Sequence, residues 1–197
     1  IRYLSGFTGS NGVLLVSSGA SVLFTDPRYG TQASQECGCR VQVVRGPLHT
    51  ALLKSAGRRR LRRLGFEPSR IAYDAWERLN ENLPLGASLR PVPGVIERFR
   101  LVKSESEIAA IRRSVTTNSS AFDRAIRKFR AGLTESALAA EIEYQMRLLG
   151  AEKPAFDTIV ASGPHSALPH ANPRSTPIEP NRLVLVDMGC VQDGYCS

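Results

Sequence analysis

The chain has 197 residues, of which 42% are hydrophobic and 22% charged, and its formal net charge is +8. These proportions are typical of an ordered globular protein and argue against disorder. No apolar run approaches the roughly 20 residues that cross a bilayer, and the first residues lack a basic segment followed by an apolar stretch, so we expect neither a membrane segment nor a secretory signal.

The positive charge is concentrated in the first half of the chain. Residues 1–100 carry 15 Lys and Arg against 7 Asp and Glu, whereas residues 101–197 carry 11 of each. The densest cluster, residues 58–63, has the charge of a nucleic-acid or acidic-lipid patch. No aromatic residues that would stack on bases are interleaved with these arginines. We therefore favour a solvated helix end and predict neither a nucleic-acid nor a membrane partner.

The four cysteines, Cys37, Cys39, Cys190 and Cys196, are too few for a disulfide scaffold of this length. A metal or redox pair at Cys37 and Cys39 is disfavoured because no second ligand pair accompanies it. We therefore predict reduced thiols and a cytoplasmic protein.

The beginning of the chain predicts a compact α/β region. Ile1 stands where an initiating Met is expected and leads into strand-like sequence, so we expect a fragment whose start is missing. Two apolar runs, residues 12–16 and 21–25, are separated by a short Ser/Gly turn and predict a hairpin. The pattern then predicts a helix over 29–37, a strand over 40–44, a helix over 48–64 and a strand over 70–73. Strands that alternate with helices indicate an α/β domain.

A second domain is predicted after the proline-rich residues 91–96, which gives domains of 1–98 and 99–197. Ser104 and Glu107 have the spacing of a capping box at a helix start. An apolar stripe then continues past Phe129 to a stop at Gly132. Thr134 is the predicted cap of the next helix, which Gly150 closes. Short strands at 158–161 and 182–187, linked by a polar loop, complete the opening of this second α/β domain.

The glycine-rich residues 6–12 match neither the dinucleotide fingerprint nor the P-loop. A strand follows them instead of a helix, so no helix N-terminus is directed at the loop. We interpret the segment as a turn.

Two residues are candidates for chemistry. Asp187 ends the apolar run 183–186, where a carboxylate is costly unless it is paired; metal ligation, an arginine partner and exposure at the strand end all remain open. His170 lies between Pro169 and Pro173, which stiffen its loop and favour a proton carrier or ligand, although a solvent-exposed histidine without a role explains it equally.

Three further polar residues are weaker candidates. His165 and His49 rank below His170 because nothing near them in the sequence constrains them. The position of Asp157 is compatible with the lining of a cleft and equally with a structural role in a turn.

Several segments together resemble a known family. They are residues 3–12, 23–29, 98–112, 156–163, 169–171, 186–189 and 194–197, and they resemble the proline-specific pita-bread peptidases, namely the Xaa-Pro aminopeptidases and Xaa-Pro dipeptidases. The resemblance implies a creatinase-like N-terminal α/β domain over 1–98, followed by the first part of a pita-bread α+β catalytic domain over 99–197.

The resemblance also implies a site. Asp187 corresponds to a metal-bridging carboxylate, and His170 to a histidine that binds substrate and handles protons. The implied cofactors are two divalent ions, manganese in the first place with cobalt or zinc as alternatives. The implied substrates are peptides with proline at the second position, and the implied assembly is a homodimer. The next ligand is expected directly after Ser197 and the others further on, so we expect residues 1–197 alone to be inactive.

Two other interpretations are kept. One is a non-catalytic relative that uses the pita-bread fold to bind peptides or proteins. The other is a metal-free, creatinase-like hydrolase. The ligands expected beyond Ser197 discriminate among the three, because only the peptidase needs all of them.

Overall fold

The computed structural model describes all residues from 1 to 197 and divides into two compact units, Ile1–Phe99 and Arg100–Ser197. None of the helices combines the length and the hydrophobicity that crossing a bilayer requires.

The first unit, together with the end of α5 just beyond it, alternates helices and strands. In chain order these are α1 (Arg2–Ser5), β1 (Gly12–Ser17), β2 (Ala20–Thr25), a 3-10 turn (Pro27–Tyr29), α2 (Gly30–Glu36), β3 (Arg40–Val43), α3 (Leu48–Arg58), β4 (Arg63–Phe66), α4 (Tyr73–Glu81), β5 (Ser88–Pro91) and α5 (Val95–Leu101). β2 pairs antiparallel with β1 and parallel with β3, and β4 pairs parallel with β5. The predicted hairpin is confirmed, as are the helix after it and the strand β3.

Strand β2 lies at the centre of its sheet and is covered on both faces. Leu23 packs with Phe7 and Ala33, whereas its neighbour Phe24 packs in a separate cluster with Leu52. Successive side chains of a strand point to opposite faces, so two adjacent buried residues require apolar cover on both sides. The unbroken apolar run in the sequence reflects this burial.

The predicted helix over 48–64 is too long, and the predicted strand over 70–73 is wrong because no strand forms there. α3 ends at Arg58, Arg60 adopts a left-handed φ of 55°, and the chain then extends as β4. Leu61 and Leu64 fit a helical spacing, but Leu64 belongs to β4 and is buried beside β5. Burial between sheet and helix therefore overrides the local spacing.

Helices were missed at three places in the first unit. Tyr73 begins α4 instead of ending a strand, α5 lies where proline density indicated only a boundary, and the opening residues form the helical turn α1 instead of strand-like backbone. These helices have 9, 7 and 4 residues respectively. Elements of this length have little periodicity from which a helix can be recognised.

The second unit begins with two helices and continues with short strands. In chain order these are α6 (Glu105–Ile126), α7 (Glu135–Leu148), β6 (Lys153–Pro154), β7 (Ile159–Ser162), a 3-10 helix (Gly163–Ala167), β8 (Val184–Asp187), β9 (Cys190–Gln192) and β10 (Tyr195–Cys196). β7 and β8 form an antiparallel pair, and β9 lies between β10 and β6. β6, β9 and β10 were not predicted, because none exceeds three residues.

The predicted caps of both long helices are confirmed. Ser104 Oγ accepts from the Glu107 amide at 3.3 Å, and Glu107 Oε2 accepts from the Ser104 amide at 2.8 Å. Thr134 Oγ1 accepts from the amide of Ala137 at 3.1 Å. The extension of the first helix to Gly132 is wrong, because α6 ends at Ile126.

The core of the second unit lies along α7. Leu138, Ile142 and Met146 are fully buried against the small residues Ala121 and Ala125 of α6. Alanines on a helix face allow a neighbouring helix to approach closely, so the larger α7 side chains fill the space between the helices and β7.

We expect Ile142→Ala to lower the free energy of unfolding by about 3 kcal/mol, because the truncation leaves a cavity among residues that are already close-packed. The matched control is Leu148→Ala on the same helix, whose side chain is 58% exposed; it should cost well under about 1 kcal/mol. Urea unfolding followed by circular dichroism measures both. Equal losses would show that the core does not lie along this face of α7.

Candidate active site

Asp187 is the last residue of β8, and its carboxylate is exposed. The strand itself is only half-buried, with Leu185 42% exposed, although an apolar run such as 183–186 is typical of a buried strand. No hydrogen bond or ion pair engages the carboxylate oxygens, so the arginine partner left open above is absent. Both oxygens of Asp187 therefore remain free to bind a cation.

The turn after Asp187 is held tightly. A Cβ atom added to Gly189 would lie 2.8 Å from the Phe156 ring and 2.9 Å from the Ser197 carbonyl oxygen, so only glycine fits there. The Gly189 carbonyl accepts from the Ala155 amide at 2.8 Å, and the Met188 carbonyl accepts from the Asn118 side chain at 3.4 Å. These contacts fix the backbone from which the Asp187 side chain projects.

His170 lies in the long connection between β7 and β8, and its side chain is exposed. No hydrogen bond or ion pair engages the imidazole. The following residue, Ala171, is 3% exposed and packs its methyl group inward. Both ring nitrogens of His170 are therefore available for proton transfer or for contact with a substrate.

The structure adds a residue that sequence reasoning missed, the fully buried Glu135 at the start of α7. Its carboxylate accepts six hydrogen bonds: from the Ser162 amide and hydroxyl at 2.8 Å each, from His165 Nδ1 at 3.0 Å, and from the Arg174 amide, Nε and Nη2 at 3.0 Å each. Burial by itself raises the pKa of this carboxyl group. The Arg174 side chain and the Ser162 amide outweigh burial, so the pKa of Glu135 lies well below its usual range.

Nothing in the sequence separates Glu135 from an ordinary surface residue. A glutamate directly after a helix cap is favourable for the helix dipole whether or not it is buried. The partners of Glu135 are 27 to 39 residues away along the chain. A pattern of neighbouring residues carries no information about such contacts.

His165 ranked below His170 because no residue near it in the sequence constrains it. In the structure a residue distant in sequence, the buried Glu135, constrains its imidazole directly. The His165 side chain is 8% exposed, and its Nδ1 lies 3.0 Å from Glu135 Oε2. An ionised carboxylate can only accept, so Nδ1 must carry the proton. His165 is therefore engaged in the fold, whereas His170 is free.

The pairing of β7 with β8 shows how the candidates are arranged. Asp187 lies opposite Ile159, and Val184 lies opposite Ser162, where the connection carrying His170 begins. No hydrogen bond or ion pair joins Asp187 to His170. Asp157, two residues before Ile159, is exposed and without a partner. No three His, Cys, Asp or Glu side chains are grouped so that they could hold a metal ion.

The two motifs of the first unit serve its fold. In the glycine-rich segment the Thr8 amide and hydroxyl donate to the Glu36 carboxylate at 2.8 and 2.7 Å, so an acid occupies the position that a phosphate would need. In the arginine cluster, Arg59 donates to Ser17 and Arg62 donates to the Leu85 carbonyl. All four cysteines are free thiols.

The chain matches two family models in succession. Residues 1–102 match the Creatinase/Prolidase N-terminal domain, and residues 109–197 match Metallopeptidase family M24. The fold and both matches define a creatinase-like N-terminal domain followed by the start of a pita-bread metallopeptidase domain. The chain therefore belongs to the creatinase/prolidase family.

Individual relatives support the same family membership. An Xaa-Pro dipeptidase of Pyrococcus horikoshii is 32% identical over 200 residues, which is 100% of this chain and 55% of the relative. The crystal structure of an X-Pro aminopeptidase from Thermotoga maritima superimposes with a TM-score of 0.94 at 34% identity, covering 100% of this chain and 56% of that one. The structure of an Xaa-Pro dipeptidase from Bacillus anthracis superimposes with a TM-score of 0.92 at 34% identity, covering 100% of this chain and 55% of that one. The chain thus spans about half the length of the relatives it matches.

We expect Glu135→Gln to lower the free energy of unfolding at pH 7 by about 3 kcal/mol, because the substitution removes the charge that Arg174 and the surrounding donors stabilise. The folded-state pKa of Glu135 is depressed, so its contribution is complete above the ordinary value of 4.5 and is lost as the pH falls toward the folded-state value. The gap between wild type and variant should therefore narrow below pH 4.5.

Urea unfolding at pH 7 and at several values below 4.5 measures this gap. The control is Glu143→Gln, which makes the same substitution on the same helix at a half-buried side chain without a partner. A gap that stays constant with pH would contradict the assignment of an ionised Glu135.

Proposed function

We propose that the whole protein is a metal-dependent exopeptidase that hydrolyses the bond between an N-terminal residue and a following proline. The observation that carries the proposal is the free, exposed Asp187 carboxylate on a fixed turn, in a chain that belongs to a metallopeptidase family. In this proposal residues 1–98 are the creatinase-like domain and residues 99–197 begin the catalytic domain. A cytoplasmic homodimer without a nucleic-acid partner is part of the same proposal.

Asp187 fits the role of a metal ligand. Carboxylate oxygen is a ligand that manganese, cobalt and zinc accept, and here both oxygens are uncommitted. One carboxylate does not hold two ions, so the other ligands must come from outside residues 1–197. When bound, two divalent ions, manganese in the first place, would supply the Lewis acidity for attack of water on the peptide carbonyl.

His170 has the properties that the proton transfers of this reaction need. Hydrolysis forms a C–O bond, breaks the C–N bond to proline and delivers a proton to the proline nitrogen. An imidazole can accept a proton at one ring nitrogen and donate one from the other. The ring of His170 makes no competing hydrogen bond, and its loop holds it at the surface, where a peptide can reach it.

We expect Asp187→Asn in the whole protein to lose bound manganese and to lower kcat/KM for an Xaa-Pro dipeptide by about a thousandfold or more, because an amide oxygen is a poor substitute for a charged ligand. Metal content by inductively coupled plasma analysis and initial rates by amino-acid release measure the two effects. The substrate control is the matching Xaa-Ala dipeptide, which should be a poor substrate even for the wild type.

The matched control variant is Asp193→Asn. Asp193 is exposed, pairs with Arg113 at 2.8 Å and has a φ of 52°, which asparagine tolerates. This variant should keep its metal and activity. An Asp187→Asn protein with wild-type metal content and rate would overturn the proposal, and a wild type that binds no metal and cleaves nothing would favour the non-catalytic relative.

We expect His170→Gln to lower kcat by about a hundredfold while the bound metal stays at the wild-type level, because the variant loses a proton carrier and no metal ligand. The pH dependence of kcat distinguishes proton transfer by His170 from a purely structural role. If the imidazole transfers a proton, the change of kcat with pH that it causes should be absent from the variant. Loss of metal together with activity would instead make His170 a ligand.

A further inference from the structure

One side chain, Glu135, binds the loop that carries His170 at both of its ends. On one side Glu135 accepts from Ser162, where β7 ends, and from His165 in the 3-10 helix that follows. On the other side it accepts from the amide and guanidinium of Arg174. His170 lies between these attachments, five residues after His165 and four before Arg174.

The stretch between the two attachments has few contacts of its own. Ser166 and Leu168 hydrogen-bond only backward, to the Gly163 and His165 carbonyls. From residue 169 to residue 173 no hydrogen bond to the rest of the unit is formed, and the buried methyl group of Ala171 is the main anchor. Prolines at 169 and 173 narrow the conformations of this stretch but do not determine where it lies. Its position is therefore set by its ends.

The charge of Glu135 makes these attachments mutually dependent. If Arg174 moved away, an ionised carboxylate would remain buried with its cationic partner removed, which is strongly unfavourable. The guanidinium approaches in a fork, with Nε on one oxygen and Nη2 on the other, and this geometry fixes direction as well as distance. The Ser136 amide also donates to the Arg174 carbonyl, and the Ile178 amide donates to the Leu133 carbonyl. The segment after Arg174 therefore stays attached to the start of α7.

We propose that Glu135 is a positioning residue: its buried carboxylate, bound to His165 and Arg174, fixes the loop that places His170. The role of His170 in peptide hydrolysis rests on the proposed function, whereas the fixing of the loop does not. Glu135 contacts no reacting atom in this scheme. It acts through the backbone of residues 166–173.

Arg174→Ala tests the proposal by removing the cation that faces the buried Glu135 carboxylate, and far-UV circular dichroism first checks that the variant is folded. If it is not, Arg174→Lys, which retains the charge, carries the test. The matched control is Lys128→Ala. Lys128 pairs with Glu141 on the same helix α7 at 2.8 Å and is 53% exposed, so this variant removes a comparable cation without touching the loop. The conservative variant Arg174→Lys keeps the charge but not the fork.

In Arg174→Ala the hydrogen-bonded amides of Ser162, Gly163, Leu168 and position 174 should exchange with deuterium about tenfold faster or more, while those of α6 stay as in the wild type. In the whole protein loaded with manganese, kcat for an Xaa-Pro dipeptide should fall by about tenfold to a hundredfold at unchanged metal content, because a displaced imidazole transfers protons poorly. KM should change less than kcat. Arg174→Lys should recover part of both effects, and Lys128→Ala should match the wild type.

Two results would overturn the proposal. One is unchanged exchange of those four amides in Arg174→Ala, and the other is faster exchange with a wild-type kcat. If the wild-type protein cleaves no Xaa-Pro peptide, the proposed function fails by itself, and the exchange result still decides whether Glu135 fixes the loop.

Discussion

A carboxylate buried without any exposure is the constraint on which the second unit depends. Glu135 is tolerable there only because every hydrogen bond it can accept is supplied, and because the Arg174 guanidinium balances its charge. The donors come from the end of β7, from the 3-10 helix that follows it and from Arg174 in the loop before β8. The Glu135 side chain therefore joins elements that are not paired with one another as strands of a sheet. The end of β7, the 3-10 helix and the segment after His170 must take up their native positions together.

This constraint separates the polar residues of the unit into two groups. Glu135, His165 and Arg174 are engaged with one another, so their chemistry is used to hold the chain. Asp187 and His170 have no such partners, and the backbone on which each is carried is fixed by other groups: a glycine against Phe156 and Ser197 for Asp187, and the Glu135 attachments for His170. Free side chains on fixed backbone are what a binding or catalytic site requires.

Local signals in the sequence were reliable where their cause is local. The capping box at Ser104 and Glu107 involves atoms three residues apart, and the hairpin of β1 and β2 follows from a tight turn between two apolar runs. The same reasoning failed at residues 48–64, because Leu61 and Leu64 fit helical spacing while the pairing of β4 with β5 draws the chain into a strand. It also failed for α4 and α5, where a few residues of helix offer too little periodicity. The resemblance to the peptidase family identified the fold because it compared motifs dispersed over the whole chain.

By itself the sequence determined the family, through motifs dispersed over the whole chain, and the caps of the two long helices, since a cap depends on residues within a few positions of one another. It also selected Asp187 and His170 as candidates. Tertiary structure alone decided which polar groups are buried. His165 and His170 are five residues apart in the connection between β7 and β8, yet one is bound to Glu135 and the other is exposed. Glu135 itself looks like any acidic residue at a helix start. The difference arises from contacts across 27 to 39 residues, which exist only after the chain has folded and excluded water from the carboxylate.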